Sequence, residues 1–161
     1  MNGRSAVACW LFKTEPSAFS LDDLKKRPDM TEHWDGVRNF QARNFLRDAI
    51  TVGDLVLFYH SNIPEPAVVG IARVVRAGYP DFTALDPESD HFDPKATAEK
   101  PIWYMVDVRY GEMLPRPVTL EAIKANPLLA GMPLVNRSRL SIQPVTPEEW
   151  RVILAMGGIK A

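Results

Sequence analysis

Hydrophobic and polar positions alternate along this chain in short runs, which predict more strands than helices. Residues 6–13, AVACWLFK, place Ala6, Ala8, Trp10 and Phe12 on one side and Val7, Cys9, Leu11 and Lys13 on the other. Both sides are mostly apolar, so this is a central strand covered on both faces, and Pro16 stops its pairing. Ser20 caps a short helix through Lys26, with Asp23 at the N3 position, and Pro28 ends it. Ala42, Phe45, Leu46 and Ala49 then recur at helical spacing and mark one buried face behind Asn39 as N-cap. Arg43 and Arg47, four apart, share the opposite, exposed face.

Gly53-Asp54 turns the chain into a buried strand at Leu55–His60, which ends on Ser61 and Asn62. A longer strand follows at 67–76, where Gly70 marks a bulge or a close backbone approach. Residues 77–101 carry four prolines among many acids and no periodicity, which predicts a long loop. Strands at 102–110 and 140–145 and a short helix at 119–125 follow, with a turn at 126–133. Thr146-Pro147-Glu148-Glu149 opens a final helix, with Trp150, Ile153 and Leu154 on one face and a stop at Gly157-Gly158. The expected fold class is α+β: a small curved sheet or open barrel flanked by short helices, one domain over residues 1–161.

Composition narrows the function more than the fold. The hydrophobic fraction of 46% and charged fraction of 24% over 161 residues are those of an ordinary globular domain. No apolar run approaches a membrane span, the N-terminus does not read as a signal peptide, and a cytoplasmic site, nucleoid-associated in a bacterium, is expected. The single Cys9 excludes an intrachain disulfide and reads as a small buried thiol. A net charge of −1 argues against a nonspecific nucleic-acid coat. Arginines are nevertheless clustered, at Arg38, Arg43 and Arg47 and again at Arg137 and Arg139, which suits contact with a few phosphates. The acids Asp81, Asp86, Glu88, Asp90, Asp93 and Glu99 crowd one loop.

Candidate chemistry is sparse. His33, His60 and His91 are scattered, and Asp90-His91-x-Asp93 lacks the further ligands of a closed metal site, so no metal and no cofactor are expected. There is no phosphate-binding glycine loop and no nucleophile elbow. Lys13 with Glu15, or His60 with Asp81, are the pairs from which acid–base chemistry would have to be built. A binding signal is stronger. Trp34 stands among polar residues outside any apolar period, whereas Trp10 and Trp150 read as core; Trp103 stays open between core and pocket. Ser61 and Asn62 follow a buried strand that would hold their polar groups rigidly. Stacking plus edge contacts is how flat nucleobases are held.

Several blocks together resemble the EVE domain family. They are Trp10-Leu-Phe-Lys13-Thr14-Glu15-Pro16, Trp34-Asp-Gly-Val-Arg38-Asn39-Phe40-Gln41-Ala-Arg43-Asn44 and Phe58-Tyr59-His60-Ser61-Asn62. Tyr79-Pro80-Asp81, Trp103-Tyr-Met-Val-Asp107-Val and Arg139-Leu-Ser141-Ile-Gln143-Pro-Val complete the pattern over nearly the whole chain. Phe40 departs from it where tyrosine is expected; stacking survives and a hydroxyl is lost. The resemblance implies a PUA-like pseudo-barrel, kinship with YTH-type base readers, and recognition of a modified cytosine in DNA or a modified base in RNA. It implies a base walled by Trp34 and Trp103, with edge contacts from Lys13, Thr14, Glu15, Asn39, Ser61 and Asn62. Arg38, Arg43 and Arg139 would hold flanking phosphates. The expected activity is binding without catalysis. The alternatives are a nucleotide-directed hydrolase using Lys13, Glu15 or His60, and a small-metabolite sensor.

Overall fold

The structure, a computed structural model, describes residues 7–136 and 139–159; Ala6 and Arg137 lie outside them. Six strands form one mixed sheet in the order β2-β5-β4-β3-β1-β6. They are β1 (Cys9–Thr14), β2 (Thr31–His33), β3 (Leu55–His60), β4 (Ala67–Pro80), β5 (Tyr104–Thr119) and β6 (Ile142–Val145). Only β1 and β3 run parallel, paired from Cys9 with Leu55 to Thr14 with His60; the other neighbours are antiparallel. The edge strands β2 and β6 are not paired with each other, so the sheet is curved but open.

Both faces of the sheet are covered, as the two apolar sides of β1 require. Trp10 and Phe12 of β1, with Val56 and Phe58 of β3, face one core, and Leu11, Leu57 and Tyr59 face the other. The first core is closed by α1 (Leu21–Lys25) and α2 (Phe40–Asn44). The second is closed by α3 (Leu120–Ala125), α4 (Pro133–Asn136) and α5 (Pro147–Met156), which bring in Ile123, Leu134, Trp150, Ile153 and Leu154. Phe58 is wholly buried, and a side chain of that kind contributes about 1.5–3 kcal/mol by leaving water. Cys9 is half-buried at the second core; burial and the Asp54 carboxylate push its thiol up. A smaller third cluster, Ala84, Ala96 and Trp103, lies under the acidic loop.

Local signals explain most element ends. Ser20–Asp23 and Thr146–Glu149 form reciprocal capping boxes on α1 and α5. Asn39 caps α2, accepting from the Ala42 N–H at 2.9 Å. The pairing of β4 with β5 shifts register between Val68 and Gly70, where the bulge was expected. A Cβ on Gly70 would meet the Leu21 side chain and the Glu112 carbonyl, so the backbones approach closely there.

Three expectations are corrected. The helix after Asn39 does not stay α-helical: Phe45–Ala49 widens into a π-helical turn, closed by the Ile50 N–H donating to the Phe45 carbonyl. The extra residue rotates the face, so Ile50 is buried and Ala49 exposed. The strands read as 67–76 and 102–110 are longer, reaching Pro80 and Thr119. The three-residue β2, which pairs with Asp107–Arg109 of β5, carried no alternation to reveal it.

Candidate functional site

A cleft of about 590 Å³ opens where the C-terminal end of β1 meets the segment that enters α2. That size is within the usual range for small-ligand sites. Lys13 and Thr14 come from β1, Ala18 and Phe19 from the turn behind it, and Arg27, Glu32 and His33 from the approach to and body of β2. Trp34, Asp35, Gly36, Val37 and Arg38 form the floor and one wall; His91 of the acidic loop and Ser141 complete the lining.

The aromatic wall is anchored in the core. Trp34 is only 8% exposed, packing against Phe12, Phe58 and Phe19 at ring centroids 5.3, 5.5 and 6.1 Å away. The sequence reading set Trp34 apart from the core; it belongs to both core and cleft. Its surroundings looked polar because its packing partners come from other strands.

Charge in the cleft is mixed and mostly paired. Arg27 Nε donates to Glu32 Oε1 at 2.6 Å, and its guanidinium lies 5.0 Å from the Phe19 ring centre. The other Glu32 oxygen lies 3.0 Å from His33 Nδ1. Asp35 Oδ2 sits between two imidazoles, 3.3 Å from His91 Nδ1 and 4.0 Å from His33 Nε2. Lys13 is half-buried, and burial holds its ammonium below the usual lysine range. Thr14 Oγ1 donates to the Phe19 carbonyl at 2.9 Å, so what this cleft-lining hydroxyl has left to offer is acceptor capacity.

The wall near Arg38 is built on Asp81, which is fully buried. Arg38 Nη1 donates to Asp81 at 3.1 Å and to the Val37 carbonyl at 3.0 Å, and Nη2 donates to the His91 carbonyl at 2.6 Å. Gly36 N–H donates to the same carboxylate at 2.8 Å, and Thr83 donates to it from Oγ1 and N–H. Burial alone would raise the Asp81 carboxyl, but these donors outweigh it and hold it below the usual carboxylate range. Arg38 therefore ties the acidic loop to the cleft, with three of its five N–H groups on protein acceptors.

The structure brings Lys13, Thr14, Trp34 and Arg38 together in this cleft. It places the other candidates elsewhere. Glu15 is exposed beyond the end of β1, and Asn39 is occupied as the α2 cap. Ser61 donates its N–H to the Thr14 carbonyl, while Asn62 is an exposed turn residue with φ of 58°. Trp103 is buried in the third cluster, its Nε1 donating to Asp93 at 2.7 Å. Arg43 Nη1 donates to the Ile102 carbonyl at 2.6 Å, and Arg139 is exposed two residues before Ser141. His60, an alternative catalytic candidate, accepts the Leu21 N–H at Nε2 and lies outside the cleft lining. Sequence reasoning missed Phe19, Arg27, Glu32, His33, Asp35 and His91. The available signal was proximity: His33 and Asp35 flank Trp34 directly.

Among the described residues, no group of three or more His, Cys, Asp or Glu side chains is placed to hold a metal ion. Asp93, from the loop motif that could have contacted a cation, is instead held low by the Trp103 indole and by the Lys95 N–H. No helix among the described residues is long and apolar enough to cross a membrane.

The fold has relatives among known proteins. A model of the EVE domain matches residues 8–156. Thymocyte nuclear protein 1 of Gallus gallus is 43% identical over 91% of this chain and 67% of its own length, and the Homo sapiens protein is 41% identical over 91% and 72%. A hypothetical protein from Leishmania major superposes with a TM-score of 0.89 at 51% identity, covering 94% of this chain and 95% of that one. The human THYN1 protein, in a crystal structure in complex with 5-methylcytosine containing DNA, superposes with a TM-score of 0.90 at 39% identity over 96% and 99%.

Proposed function

The chain belongs to the EVE domain family, and from that premise we propose that it binds DNA by taking a modified cytosine, 5-methylcytosine first among candidates, into the cleft beside Trp34 without acting on it chemically. One observation carries the reading: an aromatic-backed, charge-lined cleft on a fold that matches, nearly end to end, a relative crystallised with 5-methylcytosine DNA.

The lining suits a cytosine. Its exocyclic amine is a donor, and its ring nitrogen and carbonyl are acceptors. Asp35 and Glu32 present acceptors, while Lys13 and the histidines present donors. Phe19 and Trp34 supply apolar surface for the ring and its methyl group. A base inside a duplex reaches such a site only by extrusion, which costs a few kcal/mol. Stacking at ~1–3 kcal/mol per base, plus edge contacts in a partly desolvated cleft, is of the size needed to offset that cost.

Binding without turnover is the reading we favour: the pairs Lys13 with Glu15 and His60 with Asp81 are not assembled, and the acid–base groups that do line the cleft, Glu32, His33, Asp35 and His91, pair with one another. Glu15 is exposed, His60 Nε2 is engaged by backbone, and of those two pairs only Lys13 reaches the cleft. Arg43 and Arg139 are the proposed phosphate contacts. Arg38 is reassigned in this proposal to shaping the wall, because Asp81 and two carbonyls already hold both its Nη atoms.

The test is a titration of matched duplexes carrying cytosine, 5-methylcytosine or 5-hydroxymethylcytosine at two salt concentrations. Preference for one modified duplex, with affinity weakened in Asp35→Asn, is the expected result. Equal binding of all three, or release of a modified nucleotide product, overturns the reading.

A further inference from the structure

Outside the cleft, the largest exposed aromatic surface tied to it is Phe40. The residue is 59% exposed although it opens α2, next to the cap residue Asn39. It is not loose. The Phe40 and Trp103 rings stack with centroids 4.9 Å apart and planes 21° from parallel. Trp103 is itself fixed by its indole hydrogen bond to Asp93 and by the Arg38 guanidinium 5.1 Å from its ring centre. Arg38 lines the cleft, so a continuous stack runs from the cleft wall through Trp103 to an aromatic ring in solvent. Arg43, three residues on, holds its guanidinium 5.0 Å from the Phe40 ring centre.

We propose that Phe40 and Arg43 form a second nucleotide site, in which Phe40 stacks on the DNA base next to the extruded cytosine and Arg43 contacts that nucleotide's phosphate. The inference rests on the base-reading function proposed above and extends it to the neighbouring nucleotide. The physical reason is the gap that extrusion leaves. A flipped base strips its neighbour of a stacking partner, and proteins that unstack DNA fill such gaps with apolar side chains. Trp103 takes one face of the ring and the Arg43 guanidinium lies over it, so the base takes the outer face as Arg43 swings from the ring to the phosphate; together they supply a π-face for a base and a positive charge for its phosphate. A core function does not account for an aromatic this exposed, and the arginine favours an anionic partner over an apolar protein surface.

The experiment compares wild type, Phe40→Ala and Phe40→Trp with two probes: a short duplex with one central 5-methylcytosine, and free 5-methyldeoxycytidine monophosphate, which has no neighbouring base. In a parallel duplex the base adjacent to the modified cytosine is 2-aminopurine, whose fluorescence falls on stacking. Phe40→Ala is expected to weaken duplex binding roughly tenfold, the order of one lost base–aromatic stack. Mononucleotide affinity and the preference for methylated over plain duplex stay unchanged, Phe40→Trp restores affinity, and only ring-bearing variants quench the 2-aminopurine. Wild-type duplex affinity in Phe40→Ala, an equal loss on the mononucleotide, or identical quenching in all three overturns the proposal while the cleft reading stands. Loss of self-association on substitution, with DNA binding unchanged, would mark the ring as a protein contact and also overturn it. A wild type that ignores methylation, yet still loses duplex affinity through Phe40→Ala, would overturn the cleft reading and keep the second site.

Discussion

The imidazole of His91 rests on Gly36 so closely that a Cβ at that glycine would meet the ring at 2.6 Å. Gly36 also sits at φ of 78°, a conformation L side chains rarely adopt. The acidic loop thus closes onto the Trp34 segment only because residue 36 has no side chain. Gly36→Ala is expected to cost about 1–3 kcal/mol in backbone strain and to weaken DNA binding as His91 is displaced. Adding His91→Ala removes the collision but not the strain, so the double variant should recover part of the loss. Urea denaturation of both variants checks this; full stability in Gly36→Ala would refute it.

Asp81 makes the other half of that closure. Asp81→Ala leaves Arg38 without its carboxylate and Gly36 and Thr83 without their acceptor. Breaking a buried pair costs about 3–5 kcal/mol, and the lower end applies because the Arg38 side chain keeps 26% exposure. The linkage to pH has a definite sign. The folded-state carboxyl is held low, so its contribution is present above the ordinary carboxylate range and fades as pH falls through the folded value. Thermal melts of wild type and variant should converge in strong acid and diverge at neutral pH.

His60 titrates in a more accessible window. Burial, outweighing the opposing pull of Asp23, holds its imidazole below the ordinary value of 6.5, and its neutral Nε2 accepts the Leu21 N–H at the start of α1. Below that value the unfolded chain takes up a proton that the folded chain resists. Stability therefore falls as pH drops beneath about 6.5 and levels off above it. Urea midpoints across that window should show the slope in wild type and a flatter profile in His60→Gln.

Lys13 and Trp34 separate binding from folding. Trp34→Ala removes a core side chain and is expected to cost about 3–5 kcal/mol, so its loss of binding would be uninformative alone. Lys13→Met removes a partly desolvated cation from the cleft. It should weaken binding of the modified duplex without lowering the melting temperature. A variant that binds as wild type would remove Lys13 from the base contacts.

How much of this was visible in the sequence depended on range. Near-continuous apolar runs in CWLFK and LVLFYH revealed buried strands, and both capping boxes were legible because their partners lie three residues apart. The second half of β5 holds Pro115 and Pro117, residues that ordinarily interrupt a strand. Yet β2 pairs with β5 only at Asp107–Arg109, so farther along one side of β5 has no strand beside it and proline is tolerated. The cleft was half legible for a similar reason. Lys13, Thr14 and Trp34 stood in recognisable blocks, but His91 reaches Asp35 and Gly36 across most of the sheet's connectivity. No local pattern encodes that meeting.

The parallel pairing of β1 with β3 has a kinetic consequence. Antiparallel β3 and β4 are joined by a short turn and can form as a local hairpin, whereas Cys9 meets Leu55 only after the intervening chain closes as one large loop. That loop contains α1, β2, Trp34 and the π-turn, and its ends include Lys13 and Thr14. The proposed base-binding cleft is therefore assembled in the same slow event that docks β1. During refolding, ligand binding should appear with the last kinetic phase, after most strand signal has already been recovered.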